Sequence, residues 1–394
     1  MPLENPEKIR MLIIHPALAP YRLDLLNVLA QRCELQLVFL RNNLLSQKFD
    51  QAVLVKQLKA NHVYLNQGFT ILTRTFRFGI SREISRFHPN IVITQEFSPA
   101  TLSVILFSLL RNKTFRHILW TDDNPESIHI DTKVRRMLRQ LVLPNVDGLV
   151  CLSEEAAALY RTKYGAMVPI GISPIIHKET VFRDALLRAT PIALKLIEEY
   201  RLEDKRILLF VGRLAQEKRI DRLFLAFSRL HDAFIDACLV LVGHGPQREP
   251  LQKLAQALGI ADRVIFVGRA EGASLYAWYR FGGMFVLASE FERFGAVVNE
   301  ALLAGMPVIC TDKAGAHVLI HEGVNGSVVD AADSTSLQSA MHDWLTRTPP
   351  LTVSSLDRLR PSLMTTTFQD AVEGFLSVIN AANGAAYCRS GSQT

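Results

Sequence analysis

Short runs of β-branched and apolar residues recur along this chain, most of them followed by a stretch whose apolar positions fall at helical spacing. Strands separated by helices build βαβ units, and βαβ units build parallel sheets. In the first half, residues 11–14, 35–40, 91–94, 117–120 and 148–152 read as buried strands. Residues 21–32, 80–87, 101–110, 134–141 and 154–164 read as the helices between them. The stretch 42–70 is irregular and is left unassigned. Residues 171–204 hold Pro174 and Pro191 and lack a clear strand, which places the interdomain connection there. A second alternation follows, with strands at 207–211, 238–242, 264–267, 284–287, 308–310 and 327–329. Its helices are expected at 220–230, 250–258, 274–279 and 298–304. A last helix over 368–381 lines up Phe368, Val372, Phe375 and Ile379, and the polar residues 383–394 are expected to fray.

A chain of 394 residues exceeds what one hydrophobic core organises and suffices for two. With 49% hydrophobic and 21% charged residues it is neither disordered nor a coiled coil. The densest apolar stretch, 101–110, contains Ser103 and Ser108 and is too short to span a bilayer, which takes about 20 residues. The apolar run 11–14 is likewise shorter than a secretory leader requires. Cys33, Cys151, Cys238, Cys310 and Cys388 are scattered, with no pair at metal-ligand spacing. They are expected to be free thiols in a reducing cytoplasm.

The net charge of +6 is unevenly placed: residues 1–200 carry 25 Lys+Arg against 18 Asp+Glu, and 201–394 carry 19 against 20. Within 41–120, eleven basic residues face only Asp50, Glu83 and Glu96. Such a patch fits an anionic membrane surface, a lipid phosphate or nucleic acid, or is an ordinary basic surface. Nucleic acid is the poorer match, because no aromatic-interleaved recognition motif accompanies the charge.

Three segments at strand ends of the second alternation carry chemistry. In the first, a strand runs out into Gly212, and Arg213 and Lys218 follow on the next loop, spaced to converge on one anion. The second is a strand ending Gly243-His244-Gly245-Pro246. It fails as a dinucleotide fingerprint, since Arg248 stands where the third glycine belongs, and reads as a loop beneath a nucleoside or as a tight turn. The third runs from Ser289 to Ala301, with seven residues between Glu292 and Glu300. Phe294-Gly295 lies at a helix start, so the amides of Ala296, Val297 and Val298 offer an anion site. A carboxylate there can grip adjacent sugar hydroxyls, or merely complement the helix dipole.

These segments, followed in order by Ala304-Gly305-Met306-Pro307-Val308-Ile309 and Glu322-Gly323-Val324-Asn325-Gly326, resemble the carboxyl-terminal domain of the retaining GT-B glycosyltransferases of family 4 over about residues 205–335. The resemblance implies an α/β fold of two Rossmann-like doubly wound domains facing a cleft. The first would span 1–185 on the acceptor side and the second 200–365 on the nucleotide-sugar side. A helix over 366–383 would cross back to the first, ahead of a flexible tail at 384–394. It further implies that Arg213 and Lys218 hold the donor diphosphate, Glu300 the ribose and Glu292 the transferred sugar, with backbone contacts at Gly212, Gly243, Gly245, Phe294, Gly295, Ala296 and Val297. In the first half the text departs from the family. His15-Pro16-Ala17-Leu18-Ala19-Pro20-Tyr21-Arg22 replaces a Gly-Gly loop, and Asp122 or Asp123 stands where many members carry a His that contacts the donor sugar.

The expected activity is retaining, metal-independent transfer of a sugar from a nucleoside-diphosphate donor to an acceptor hydroxyl, with no cofactor and no metal. The basic first half, with Arg74, Arg77, Arg82 and Arg86 and then Arg111, Lys113 and Arg116 beside the apolar 101–110, favours a lipid-linked saccharide acceptor. It also favours peripheral contact with the inner face of an anionic plasma membrane. The alternatives are a nucleotide-sugar-binding subunit without turnover, and a sugar phosphorylase or epimerase on the same fold.

Overall fold

The computed structural model describes residues 9–43, 49–71, 74–111, 114–130, 132–230 and 232–384. The chain divides into two compact units, Met1–Ile175 with Gln369–Thr394, and Ile176–Phe368. Both are α/β units built on a parallel sheet, as the alternation predicts.

The first unit contains β1 (Arg10–His15), β2 (Glu34–Phe39), β3 (Asn61–Tyr64), β4 (Gly68–Ile71), β5 (Arg74–Arg77), β6 (Ile91–Gln95), β7 (Arg116–Trp120), β8 (Gly148–Cys151) and β9 (Ile170–Ile172). Seven of these form a parallel sheet ordered β3-β2-β1-β6-β7-β8-β9, and β4 and β5 form an antiparallel hairpin. The central strands β1, β6, β7 and β8 are buried on both faces, which is why they read as unbroken apolar runs rather than alternating ones. Leu12, Ile14, Val38 and Val92 pack against Ile80, Ile84 and Val104 from the covering helices. Of those helices, Pro99–Leu110 starts at Ser98, whose hydroxyl accepts from the Thr101 amide, with Pro99 preset for the first turn.

The final helix, Phe368–Asn383, belongs to this unit from Gln369 onward. Its Phe375 ring meets Trp120 edge-on at 5.1 Å. Two glycines permit its seat on the sheet edge. A Cβ on Gly374 would stand 1.7 Å from the Ile172 carbonyl oxygen, and one on Gly171 would stand 2.1 Å from that of Gly374.

The second unit holds β10 (Arg206–Val211), β11 (Ala237–Val242), β12 (Val264–Gly268), β13 (Met284–Leu287), β14 (Val308–Thr311) and β15 (Gly326–Val329). All are parallel, in the order β12-β11-β10-β13-β14-β15.

The structure corrects the expected partition. The division falls at Ile175, inside the expected connection 171–204 but ahead of the expected domain end at residue 185, and much of that stretch forms regular elements of the two units. It contributes β9 to the first sheet, and it holds two helices of the second unit, Glu179–Arg188 and Thr190–Glu199, which pack on helix Ala273–Phe281. The unassigned stretch 42–70 contributes edge strand β3, whose short, half-buried residues lack a strong pattern. Cys33, Cys151, Cys238 and Cys310 are buried and free. Cys388 and the expected tail from 385 onward lie outside the described residues. Among the described residues no helix is long and apolar enough to cross a membrane.

Candidate active site

In a doubly wound sheet, ligands bind at the carboxyl ends of the strands, where the strand order reverses. In the second unit that place lies between β10 and β13, and the strongest sequence motifs sit there. After β10 the chain passes through Gly212 and Arg213 into a single turn, Gln216–Lys218. After β13 it passes through Ser289 to Glu292, and helix Ala296–Leu303 then begins at Gly295, held at a left-handed φ of 93°.

The two loops are fastened together. The Glu290 amide donates to the Glu217 carbonyl at 2.9 Å, and Arg219 reaches across to Glu290 at 3.1 Å. Lys218 Nζ donates to Glu292 Oε2, so two of the expected site residues form one half-buried ion pair. A third loop braces the second: Gly315 N donates to Glu292 O, Ala316 N to Phe294 O, and the Thr311 hydroxyl to Ser289 O. Arg213 is exposed and has no ion pair or hydrogen-bond partner for its side chain among the described residues.

The glycines after β11 have a structural cause of their own. A Cβ on Gly243 would stand 1.8 Å from the Gly212 carbonyl oxygen, and one on Gly245 would stand 2.2 Å from that of Leu214. What approaches these glycines closely is the loop carrying Arg213, which is sealed by Leu214 N to His244 O and Gln247 N to Leu214 O. The tight-packing reading accounts for the pair without a ligand.

At helix Ala296–Leu303 no side chain caps the first turn, which leaves the Ala296 and Val297 amides for an anion. Val298 is a correction: its amide donates to Gly295 O at 2.9 Å. The Phe294 side chain is buried, so only its backbone remains for a ligand. Glu300 lies against His177 and Tyr279. Its Oε1 lies 3.2 Å from His177 Nε2, and burial with the Glu300 charge pushes the Tyr279 phenol well above its ordinary pKa. Asn299 holds the same segment in place by accepting from the His177 amide at 2.8 Å. His177 lay in the stretch read as a linker, and only its apolar neighbours Ile175 and Ile176 hinted at structure there.

The first unit has its own polar cluster at the carboxyl ends of β1, β6 and β7, beside the β1–β6 reversal. Asp122 accepts from Arg22 Nη2 and from Gln95 Nε2, and its amide donates to Glu96. Arg22 is buried under the Trp120 ring, 4.2 Å from its centroid. Glu96 holds a left-handed φ of 63°, unusual for a residue with a side chain. His15, the last residue of β1, donates through Nδ1 to Ala17 O at 2.7 Å. Burial, then Arg22, lowers its pKa to about 4. Asp123 is committed elsewhere: it accepts from Arg139 and from the Tyr160 hydroxyl in a buried network. Of the two aspartates, Asp122 is the one at the strand-end cluster. Arg22 stood in the sequence as part of Pro20-Tyr21-Arg22, but Gln95 and Glu96 carried no motif.

Comparison with known proteins follows this geometry. Residues 195–354 match the family described as Glycosyl transferases group 1. Alpha-D-kanosaminyltransferase of Streptomyces kanamyceticus is 34% identical over 42% of this chain and 42% of its own length. A GDP-mannose-dependent alpha-(1-6)-phosphatidylinositol monomannoside mannosyltransferase of Mycobacterium tuberculosis is 31% identical over 54% of this chain and 56% of its own. The chain spans about two fifths of the length of the first curated relatives it matches. Among solved structures, Anabaena HepE in complex with UDP superposes with a TM-score of 0.67 at 14% identity, covering 95% of this chain and 98% of that one. Two such parallel-sheet units make the GT-B fold.

Proposed function

We propose that this member of the glycosyl transferases group 1 moves a sugar from a nucleoside-diphosphate donor to an acceptor hydroxyl, with retention at the anomeric carbon and without a metal. The observation that carries the reading is the convergence at the β10–β13 reversal. There Lys218 and Glu292 are paired beside a free Arg213 and an uncapped helix start.

An ammonium has three donors. One of Lys218's is used on Glu292, which leaves two for phosphate oxygens and fixes the cation before substrate arrives. As the bond between sugar and diphosphate breaks, negative charge grows on the departing phosphate. Preorganised donors there lower the barrier more than they tighten ground-state binding. In this reading Arg213, Lys218 and the Ala296 and Val297 amides take the diphosphate, Glu292 the sugar hydroxyls and Glu300 the ribose. Asp122 serves as the first unit's catalytic carboxylate. A panel of UDP-, GDP- and ADP-sugars in a thermal-shift assay, followed by mass spectrometry for transfer, tests the activity. Turnover in excess EDTA is expected, and activity lost there but restored by magnesium or manganese would overturn the metal-free assignment.

For the acceptor we favour a lipid-linked saccharide on an anionic leaflet. Helix Pro99–Leu110 buries Val104 and Ile105 but exposes Leu106, Leu109 and Leu110. The adjoining helix Lys133–Val142 exposes Val134, Met137 and Leu141 among Lys133 and Arg136. Arg82 and Arg86 stand exposed on helix Ile80–Phe87, which packs on Pro99–Leu110. Arg77 is partly withdrawn, since its Nε donates to Leu40 O, and Lys113 lies outside the described residues. Cations beside exposed leucines suit peripheral docking. Flotation with anionic but not neutral liposomes is expected, and failure to float with either at low salt would move a soluble acceptor to first place.

A further inference from the structure

The amino edge of the second sheet carries a different kind of chemistry. A pocket of about 330 Å³ opens there, at the starts of β10, β13 and β14, the opposite end of the strands from Lys218 and Glu292. Four cations line it, Lys205, Arg280, Arg347 and Arg360, and no aspartate or glutamate does.

The two inner arginines are fixed. Arg280, only 3% exposed, donates through Nη2 to the carbonyls of Leu356 and Arg358 and through Nε to the Thr190 hydroxyl. Its Nη1 has no partner among the described residues. Arg360 donates to the Gly282 and Tyr279 carbonyls, at the end of helix Ala273–Phe281. Burial, and then the Arg280 charge, lower its pKa to about 10. Arg183, whose Nη1 donates to Arg360 O, is itself paired with Glu179 at 3.6 Å, and burial, then the Arg183 charge, lower the pKa of Arg280. Carbonyl dipoles satisfy the Arg280 and Arg360 donors without cancelling their charge, and like charges held together under cover are costly without a counter-ion.

The outer two cations are placed to close on a ligand. Lys205 and Arg347 are exposed, and Arg347 rests on Trp344 at 5.1 Å from the ring centroid. Trp344, Pro349 and Leu351 supply an apolar wall.

We propose that this pocket is a second anion site, which takes a small phosphate monoester with its phosphate on the Arg280–Arg360 floor and its body against the Trp344 wall. Guanidinium forks match phosphate oxygens, and the volume suits a phosphate with a body of sugar size. This site is independent of the donor reading, because none of its residues belongs to that machinery.

The test is thermal-shift and calorimetric titration with inorganic phosphate and with glycerol 3-phosphate, against sodium chloride at matched ionic strength. Three proteins are compared: wild type, Arg213→Ala/Lys218→Ala and Lys205→Glu/Arg347→Glu. The last pair is exposed, so both variants are expected to fold. Both probes should stabilise wild type and the Arg213/Lys218 variant alike, and binding should weaken about tenfold or more in the Lys205/Arg347 variant. Vesicles of phosphatidylcholine with phosphatidic acid separate the two sources of such a phosphate. Co-sedimentation lost only in the Lys205/Arg347 variant would assign it to a lipid headgroup, and glycerol 3-phosphate binding without co-sedimentation assigns it to a soluble ester. No stabilisation beyond the chloride control, or stabilisation lost in the Arg213/Lys218 variant and kept in the other, overturns the proposal.

Discussion

Arg213→Ala and Lys218→Ala should cost similar amounts of catalysis and very different amounts of stability. Each cation is asked to stabilise the departing diphosphate, and removing one preorganised donor of this kind costs about 2–4 kcal/mol, or about 30- to 900-fold in kcat/KM. In the folded protein, however, Arg213 is exposed and unpartnered, so its loss should change stability by no more than about 0.5 kcal/mol. Lys218 and Glu292 are 15% and 21% exposed, and removing the lysine takes a cationic partner from a mostly covered carboxylate. That penalty lies between the surface and fully buried limits, about 1–2 kcal/mol, or a fall of about 2–8 °C in Tm for a unit of this size. The assay pairs steady-state kinetics with the preferred donor and thermal unfolding of the same preparations. Near wild-type kcat in a folded double variant would remove both residues from the mechanism. Equal Tm losses for the two single variants would refute the ion-pair argument.

The acidic residues should separate in the same way. Glu300→Ala should weaken donor and free nucleoside diphosphate together, whereas Glu292→Ala should weaken intact donor far more; equal effects on nucleotide affinity, measured calorimetrically, would contradict the division. Asp123→Asn should destabilise the first unit by about 3–5 kcal/mol, because Arg139 is left buried without its carboxylate, while Asp122→Asn should abolish turnover; urea unfolding and initial rates distinguish them. His15 gives a pH dependence with a definite sign. Its pKa falls from 6.5 to about 4 on folding, so between those values the unfolded chain takes up a proton that the folded one does not. That contribution is whole above pH 6.5 and is lost as the pH falls through 4, about 3 kcal/mol in all, and His15→Asn should flatten this part of a plot of urea midpoint against pH.

The fold was legible where strands are buried on both faces. Runs such as 207–211 and 284–287 have no polar interruption, and a helix–strand period is the simplest account of them. It was not legible at β3 or β9, short strands whose pairing is decided by neighbours distant in sequence. Prolines misled at 171–204: Pro191 sits in the first turn of its helix, where the missing N–H costs nothing, and so marks a start rather than a break. In the site, loop motifs named Lys218, Glu292 and Glu300, but spacing along one segment did not give the protein groups that each glutamate meets. Their partners, Lys218 and His177, arrive from other parts of the chain. The same holds for Asp122 and Asp123, which adjacent text could not separate and whose neighbours Arg22 and Arg139 do.

Which groups remain for a substrate follows from what the loops have already used. Gly243 and Gly245 are spent on packing, Glu290 and Arg219 on tying two loops, Asn299 on anchoring the His177 segment, and the Val298 amide on closing its own turn. At the β10–β13 reversal this leaves one whole guanidinium on Arg213, two donors on Lys218 and the Ala296 and Val297 amides, with the Glu292 carboxylate beside them. All but the last are donors or cations, and they cluster where a polyanionic group would lie. A carboxylate is an acceptor that a phosphate would repel and a sugar hydroxyl would satisfy. A ligand that is anionic at one end and hydroxyl-bearing at the other meets both demands, whereas a free phosphate or a neutral sugar meets only one.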